Sequence, residues 1–213
     1  MTILAFLGGT GDQGRGLARR FALAGHDVLL GSRSVERAEA AAADLGFERV
    51  TGVTNDEAAR RGDVVVVAVP YDGHAELLRS LVEPLAGKVV VDCVNPLGFD
   101  KQGAYALPVE EGSAAEQAAA ILPQSTVVAA FHHVSAVLLL DPAVERVETD
   151  VLVLGDDRDA TDLVQRLVDD IAGMRGIYAG RLHNAHQVEA LTANLISINR
   201  RYSAHAGLRV TDV

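Results

Sequence analysis

The chain has 213 residues, a single cysteine and a formal net charge of −10, so it can bury one substantial core with at most a small appendage. The acidic balance argues against nucleic acid and anionic membranes as partners, because both call for a basic surface. One thiol, Cys93, excludes an intrachain disulfide and fits a reducing, cytoplasmic setting.

The first apolar run predicts a strand over 3–7, and no basic segment of a signal peptide precedes it. The run ends at Gly9-Thr10-Gly11-Asp12-Gln13-Gly14, which opens a helix predicted over 13–24. That strand–turn–helix setting makes the glycine spacing a dinucleotide-binding fingerprint. Gly9 permits the tight turn, Gly11 lets the backbone approach a pyrophosphate, and Gly14 lets helix and strand pack closely. The helix start adds free N–H groups and the positive end of a dipole.

A second strand, 28–31, is followed by Ser32-Arg33-Ser34 and a helix over 35–45. Folds that bind NAD place an acid at this strand end for the ribose 2′-hydroxyl. Here a hydroxyl and a guanidinium occupy the position, and both suit a 2′-phosphate that a carboxylate would repel. Arg37, one turn into the helix, and Thr10 in the glycine loop can add contacts. Either arginine also reads as an ordinary solvated residue, but with the acid missing the pattern favours NADP(H) over NAD(H).

Further along, the sequence predicts strand 50–53, helix 55–60, strand 64–69, helix 72–82, strand 89–94, helix 114–121, strand 126–130, strand 151–154, helix 160–171 and strand 176–179. Continuous Val, Ile and Leu runs are those of strands covered on both faces. Their alternation with helices predicts an α/β, Rossmann-like, doubly wound and mainly parallel sheet. Ligands of such sheets lie beyond the carboxyl ends of the strands, which directs attention to Val69-Pro70-Tyr71, Val94-Asn95-Pro96-Leu97 and Phe131-His132-His133.

The segment 182–208 differs. Val188, Leu191, Leu195 and Ile198 recur at helical spacing and predict one long helix or two short ones with no strand after them. The expected division is a dinucleotide-binding domain over 1–181 and a small helical addition over 182–213, capping the carboxyl edge or joining a homodimer. His183, His186 and Glu189 read as a solvated polar face rather than metal ligands, and no metal is expected. Cys93 reads as core, and Asp156, Asp157 and Asp159 as the acidic start of the helix that follows. No apolar run reaches membrane-spanning length.

Gly8-Gly9-Thr10-Gly11, Gly31-Ser32-Arg33, Val69-Pro70, Asn95-Pro96-Leu97, His132, Gly155-Asp156-Asp157 and Glu189-Ala190-Leu191-Thr192 follow one another in this order. In that combination the chain resembles the NADPH-dependent coenzyme F420 reductases over almost its whole length. The resemblance implies reversible hydride transfer between NADP(H) and the deazaflavin coenzyme F420. It implies that Thr10, Ser32, Arg33 and Arg37 hold the 2′-phosphate and that Pro70 passes near the nicotinamide. Asn95, Pro96 and Leu97 would border the deazaflavin, His132 would lie at its edge, and Leu191, Thr192 and Leu195 would close the site. Arg175, Arg181, Arg200 and Arg201 are candidates for the anionic F420 tail.

Direct hydride transfer needs neither nucleophile nor metal; cofactors carry the chemistry and the protein orients them. His132 is the candidate polar group, bonding a ring carbonyl as charge develops, or else a histidine satisfied by backbone. Two other readings stay open. One is an NADPH-dependent reductase of a flavin or small carbonyl or imine compound, with His132, His133, Tyr71 or Tyr178 as proton donor. The other is a non-catalytic NADP-sensing module.

Overall fold

The computed structural model describes residues 2–213. The chain runs β1 (Ile3–Leu7), α1 (Asp12–Leu23), β2 (Asp27–Ser32), α2 (Val35–Leu45), β3 (Val50–Thr54), α3 (Asn55–Arg61), β4 (Val64–Val67), α4 (His74–Ser80), α5 (Val82–Leu85) and β5 (Val89–Asp92). It continues through β6 (Leu97–Phe99), β7 (Ala104–Ala106), α6 (Ala114–Ile121), β8 (Thr126–Ala129), α7 (Ala136–Leu140), β9 (Thr149–Leu154), α8 (Arg158–Asp169), β10 (Met174–Gly180) and α9 (Ala185–Tyr202). The main sheet has the order β10-β9-β8-β5-β4-β1-β2-β3. From β3 to β8 all neighbours are parallel, with Ala5 beside both Leu29 and Val65. β9 joins antiparallel to β8, and β10 runs parallel to β9. This is the doubly wound, mainly parallel sheet that the apolar runs predict.

Both faces are buried. On one, Leu4, Phe6, Val66 and Val128 meet Leu17 and Phe21 of α1 and Val164 and Leu167 of α8. On the other, Ala5, Val65 and Val90 meet Ala58 of α3, Leu78 of α4, Ala118 of α6 and Val188 of α9. Strand residues therefore alternate between two cores, and neither face can be polar.

Four departures from the sequence reading have local causes. The helix expected over 72–82 is a one-turn 3-10 segment, Tyr71–Gly73, then α4 and α5. Pro84 lacks an N–H and its ring would collide with the Ser80 carbonyl in a continuous helix, so the axis breaks at Leu81. The hairpin β6–β7 has strands of three residues each, too short for a periodic signal; Asp100 Oδ1 builds its turn by accepting from the N–H groups of Gln102 and Gly103. α7 spans five residues, also below the reach of periodicity. Finally, the C-terminal helix stops at Tyr202 rather than running to 208. Ser203 turns left-handed, Asn199 Oδ1 accepts the Ala206 N–H, and the tail returns to β9. There the buried Asp150 carboxylate is held by Arg175, Arg209 and the Val210 N–H, which keep its pKa far below the usual range.

Candidate functional site

The glycine loop leaves β1 and enters α1 with almost no room to spare. A Cβ on Gly14 would sit 2.7 Å from the Gly9 Cα, so the helix start is pressed against the turn. Gly11 differs: a Cβ there would meet only the Gly8 carbonyl, at 3.8 Å. Internal packing therefore does not demand a glycine at 11, and its bare backbone keeps the outer face of the loop open for a ligand. Gly11 is also the N-cap of a 12-residue helix and contributes no side chain. The first N–H groups of α1, at Asp12 and Gln13, have no acceptor within the helix and suit a pyrophosphate.

At the end of β2, Ser32 is buried and its hydroxyl accepts the Ser34 N–H at 3.3 Å. Ser34 caps α2 by accepting the Arg37 N–H. Arg33 and Arg37 are exposed at this helix start, and among the described residues neither is paired with a carboxylate. Two unspent guanidiniums and a buried hydroxyl at one helix start have the chemistry to receive an anion.

Beyond the carboxyl ends of β1, β4, β5 and β8 lies a cavity of about 350 Å³. The glycine loop supplies one wall through Gly11, Asp12 and Gln13, and the segment after β4 supplies Ala68, Val69 and Pro70. Cys93, Val94 and Asn95 follow β5, His132 and Val134 follow β8, and Thr192 reaches in from α9.

One atom ties three of these walls together. The His132 carbonyl accepts the Asn95 Nδ2 donor at 2.8 Å and the Thr192 hydroxyl at 3.0 Å. Phe131, just before it, adopts φ 64°, a left-handed conformation that costs a non-glycine residue about 1 kcal/mol. Its buried ring, edge-on to Phe21 at 6.1 Å, and the Gln13 amide on its carbonyl hold that turn in place.

His132 is 3% exposed, and neither of its ring nitrogens makes a well-formed hydrogen bond among the described residues, although the Val94 backbone lies close enough to favour its proton. Burial pushes its pKa down to about 4, so the imidazole is neutral at pH 7. Asn95 donates its amide N–H to the His132 carbonyl, which leaves its Oδ1 as an acceptor without a partner. Buried polar atoms of this kind are rare unless something bonds them. A neutral imidazole and an amide oxygen fit a ligand edge that carries both C=O and N–H groups, as nicotinamide carboxamides and deazaflavin rings do. The Cys93 thiol donates to the Val67 carbonyl and is pushed up by burial, so it is inert core as expected.

Not every predicted residue reaches the cavity. Thr10, Ser32, Arg33 and Arg37 do not line it. Pro96 is buried and Leu97 begins β6, while Leu191 is half-buried and Leu195 is buried on α9. Among the four arginines considered for an anionic tail, Arg175 is taken up by Asp150 and the carbonyls of Val210 and Val213. His133 turns away to accept the Leu152 N–H, and Tyr178 is exposed on β10.

The sequence reading missed a buried polar cluster behind this wall. His74 and Asp92 are both fully buried, with Nε2 and Oδ2 2.6 Å apart. The other ring nitrogen of His74 lies 3.1 Å from Gln117 Oε1, and Gln117 donates its Nε2 to Glu111. Both nitrogens thus face acceptors, an arrangement that favours the protonated ring. Burial opposes that charge, but Asp92 and Gln117 outweigh it and raise the pKa. Glu189, expected on a solvated face, is instead 3% exposed; it accepts the Ala114 and Ala115 N–H groups at 3.0 and 3.2 Å and so caps α6 from α9. Burial lifts its pKa to about 7. The signal was present in the sequence: Asp92 closes an otherwise unbroken valine strand.

Residues 3–96 match the family model described as NADP oxidoreductase, coenzyme F420-dependent. The F420-dependent NADP reductase of Methanothermobacter marburgensis is 40% identical over 99% of this chain and 98% of its own length. The chain belongs to the F420-dependent NADP reductase family. The family's Methanocaldococcus jannaschii reductase is 38% identical over 99% of this chain and 98% of its own. A crystal structure from Arthrobacter sp. FB24, of a candidate F420-dependent NADP reductase, superposes with a TM-score of 0.82 at 27% identity and covers 99% of both chains. Membership makes the protein an oxidoreductase. Among the described residues no helix is long and apolar enough to cross a membrane, and no cluster of ligands suits a metal.

Proposed function

We propose that the protein moves a hydride reversibly between NADP(H) and coenzyme F420 inside the cavity on the carboxyl edge. The observation that carries this reading is the junction at the His132 carbonyl, where Asn95 and Thr192 meet beside unpartnered polar atoms. Gly9, Gly11, Asp12, Gln13 and Gly14 receive the pyrophosphate, and Thr10, Ser32, Arg33 and Arg37 receive the 2′-phosphate. Val69 and Pro70 flank the nicotinamide. Asn95, Pro96, Leu97, Leu191, Thr192 and Leu195 enclose the deazaflavin.

The two bound rings supply donor and acceptor carbons; the protein holds them together and excludes water. His132 is the catalytic residue, a neutral imidazole that donates a hydrogen bond where ring charge develops. Reduction of a carbonyl or imine would need a proton donor at the cavity, and the one predicted donor that lines it has a pKa near 4. That favours ring-to-ring transfer.

The anion site is tested by Arg33→Ala. A charge-assisted hydrogen bond contributes about 1.5–3 kcal/mol, so NADPH affinity should fall by roughly ten- to a hundredfold with NADH affinity unchanged. Equal losses for both cofactors would place the 2′-phosphate elsewhere.

We further propose a cytoplasmic homodimer, with residues 1–181 as the dinucleotide domain and 182–213 as cap and contact surface. Ile198 and Tyr202 of α9, with Phe99 and Tyr105 of the adjoining hairpin, are exposed large apolar side chains. Sedimentation at twice the 22.4 kDa chain mass is expected; the mass of one chain at micromolar concentration would refute the dimer.

A further inference from the structure

We infer that His74 and Asp92 are positioning residues for hydride transfer: through the Val94 N–H they fix the wall on which Asn95 holds the His132 carbonyl. The inference rests on the reading of the cavity given above and adds two residues that touch neither ring.

A path of hydrogen bonds, carried across the Val94–Asn95 peptide, runs from α4 to α9. His74 Nε2 donates to Asp92 Oδ2 at 2.6 Å, and Asp92 Oδ1 accepts the Val94 N–H at 3.0 Å. Val94 and Asn95 line the cavity, Asn95 donates to the His132 carbonyl, and Thr192 closes on the same oxygen. β5 ends at Asp92, so no strand neighbour holds the Val94 N–H. Asp92 therefore takes over from the sheet where the chain must leave the strand and aim Asn95.

The charges around the pair are balanced for that task. The His74 ring, whose pKa these neighbours raise, faces Asp92 from β5 and Gln117 from α6, with Glu111 behind the amide, Tyr71 stacked at 6.3 Å, and Glu189 nearby on α9. A buried carboxylate without its cation would be costly, and it would also act on His132, whose ionisation already feels Asp92. His74 thus braces Asp92 and shields His132 from its charge.

The role is separable from simple stability by substitution. In Asp92→Asn the side-chain oxygen still accepts from Val94, and its amide N–H can donate to a neutral His74 that keeps its proton for Gln117. In Asp92→Ala both bonds vanish. Single-turnover reduction of F420 by bound NADPH is the readout, with NADPH affinity and the amide resonances of Val94 and Asn95 measured on the same samples. A displacement of about 1 Å at a reacting pair costs on the order of a hundredfold, so Asp92→Ala should slow transfer by ten- to a hundredfold while NADPH affinity holds. Asp92→Asn should recover most of that loss and leave the Val94 and Asn95 resonances near their wild-type positions.

If Asp92→Ala does not fold, His74→Leu is read in the same way, with slower transfer at unchanged NADPH affinity expected. The inference is overturned if Asp92→Asn is as slow as Asp92→Ala, or if the variant that folds transfers at the wild-type rate. Failure of the wild-type protein to reduce F420 would instead refute the reading of the cavity.

Discussion

Thr192→Trp is expected to abolish transfer to F420, by a hundredfold or more, while NADPH still binds. Thr192 lines the cavity from α9, and its hydroxyl is one of two donors on the His132 carbonyl. An indole cannot be placed there without filling the space or pushing α9 away from the sheet edge, and misplaced rings lose their near-attack geometry. The anion site proposed at Ser32, Arg33 and Arg37 lies at the end of β2 and is untouched, so most of the NADPH affinity is expected to remain. Thr192→Val removes only the hydroxyl at nearly constant volume and should cost less than about tenfold. Stopped-flow transfer rates beside NADPH titrations check both variants. Loss of NADPH binding with F420 binding retained would put α9 over the wrong cofactor.

The largest expected effect on stability comes from Arg20, far from the chemistry. Arg20 is 3% exposed, and its guanidinium reaches from α1 to the end of α7. Nε donates to the Leu139 carbonyl at 2.8 Å and one terminal nitrogen to Val144 at 2.7 Å; the other serves Leu138 and Asp141. A cation at a helix C-terminus satisfies carbonyls that a five-residue helix leaves without intrahelical partners. The two helices are pressed together at Gly16, where a Cβ would sit 2.6 Å from the Leu139 Cβ. Arg20→Ala strands several buried acceptors at about 1–3 kcal/mol each, only partly relieved by water. A total loss of about 3 kcal/mol or more is expected, lowering Tm by roughly 10 °C in a chain of this size. Arg20→Lys should rescue little, because one ammonium cannot reproduce the fork. A Tm within 2 °C of wild type for Arg20→Ala, by calorimetry, would show that α7 does not depend on it.

Local signals made much of the fold legible. The glycine spacing, the valine strands and the turn residues each report on neighbours within about one element, and they located β1, α1, β2, α2 and the parallel sheet. The rule that ligands sit beyond the carboxyl ends directed attention to Val69, Asn95 and His132, and these line one cavity. What stayed hidden depends on distant pairs. Arg20 reads as one more solvated arginine until α7 is placed against α1, and Glu189 reads as a polar helix face until α6 offers its N-terminus. The hairpin β6–β7 and α7 are too short to show a period. Asp92 was the visible exception, a charge in a strand otherwise made of valine, and its meaning depends on His74, 18 residues away.

The most direct test is a rapid mix of the protein with oxidised F420 and NADPH deuterated at both C4 positions, in ordinary water. Ring-to-ring transfer predicts fast loss of deazaflavin absorbance, with deuterium retained in the reduced deazaflavin and no comparable rate with NADH. Tight NADPH binding without reduction of F420, or deuterium released to water instead of carried to the ring, would contradict it.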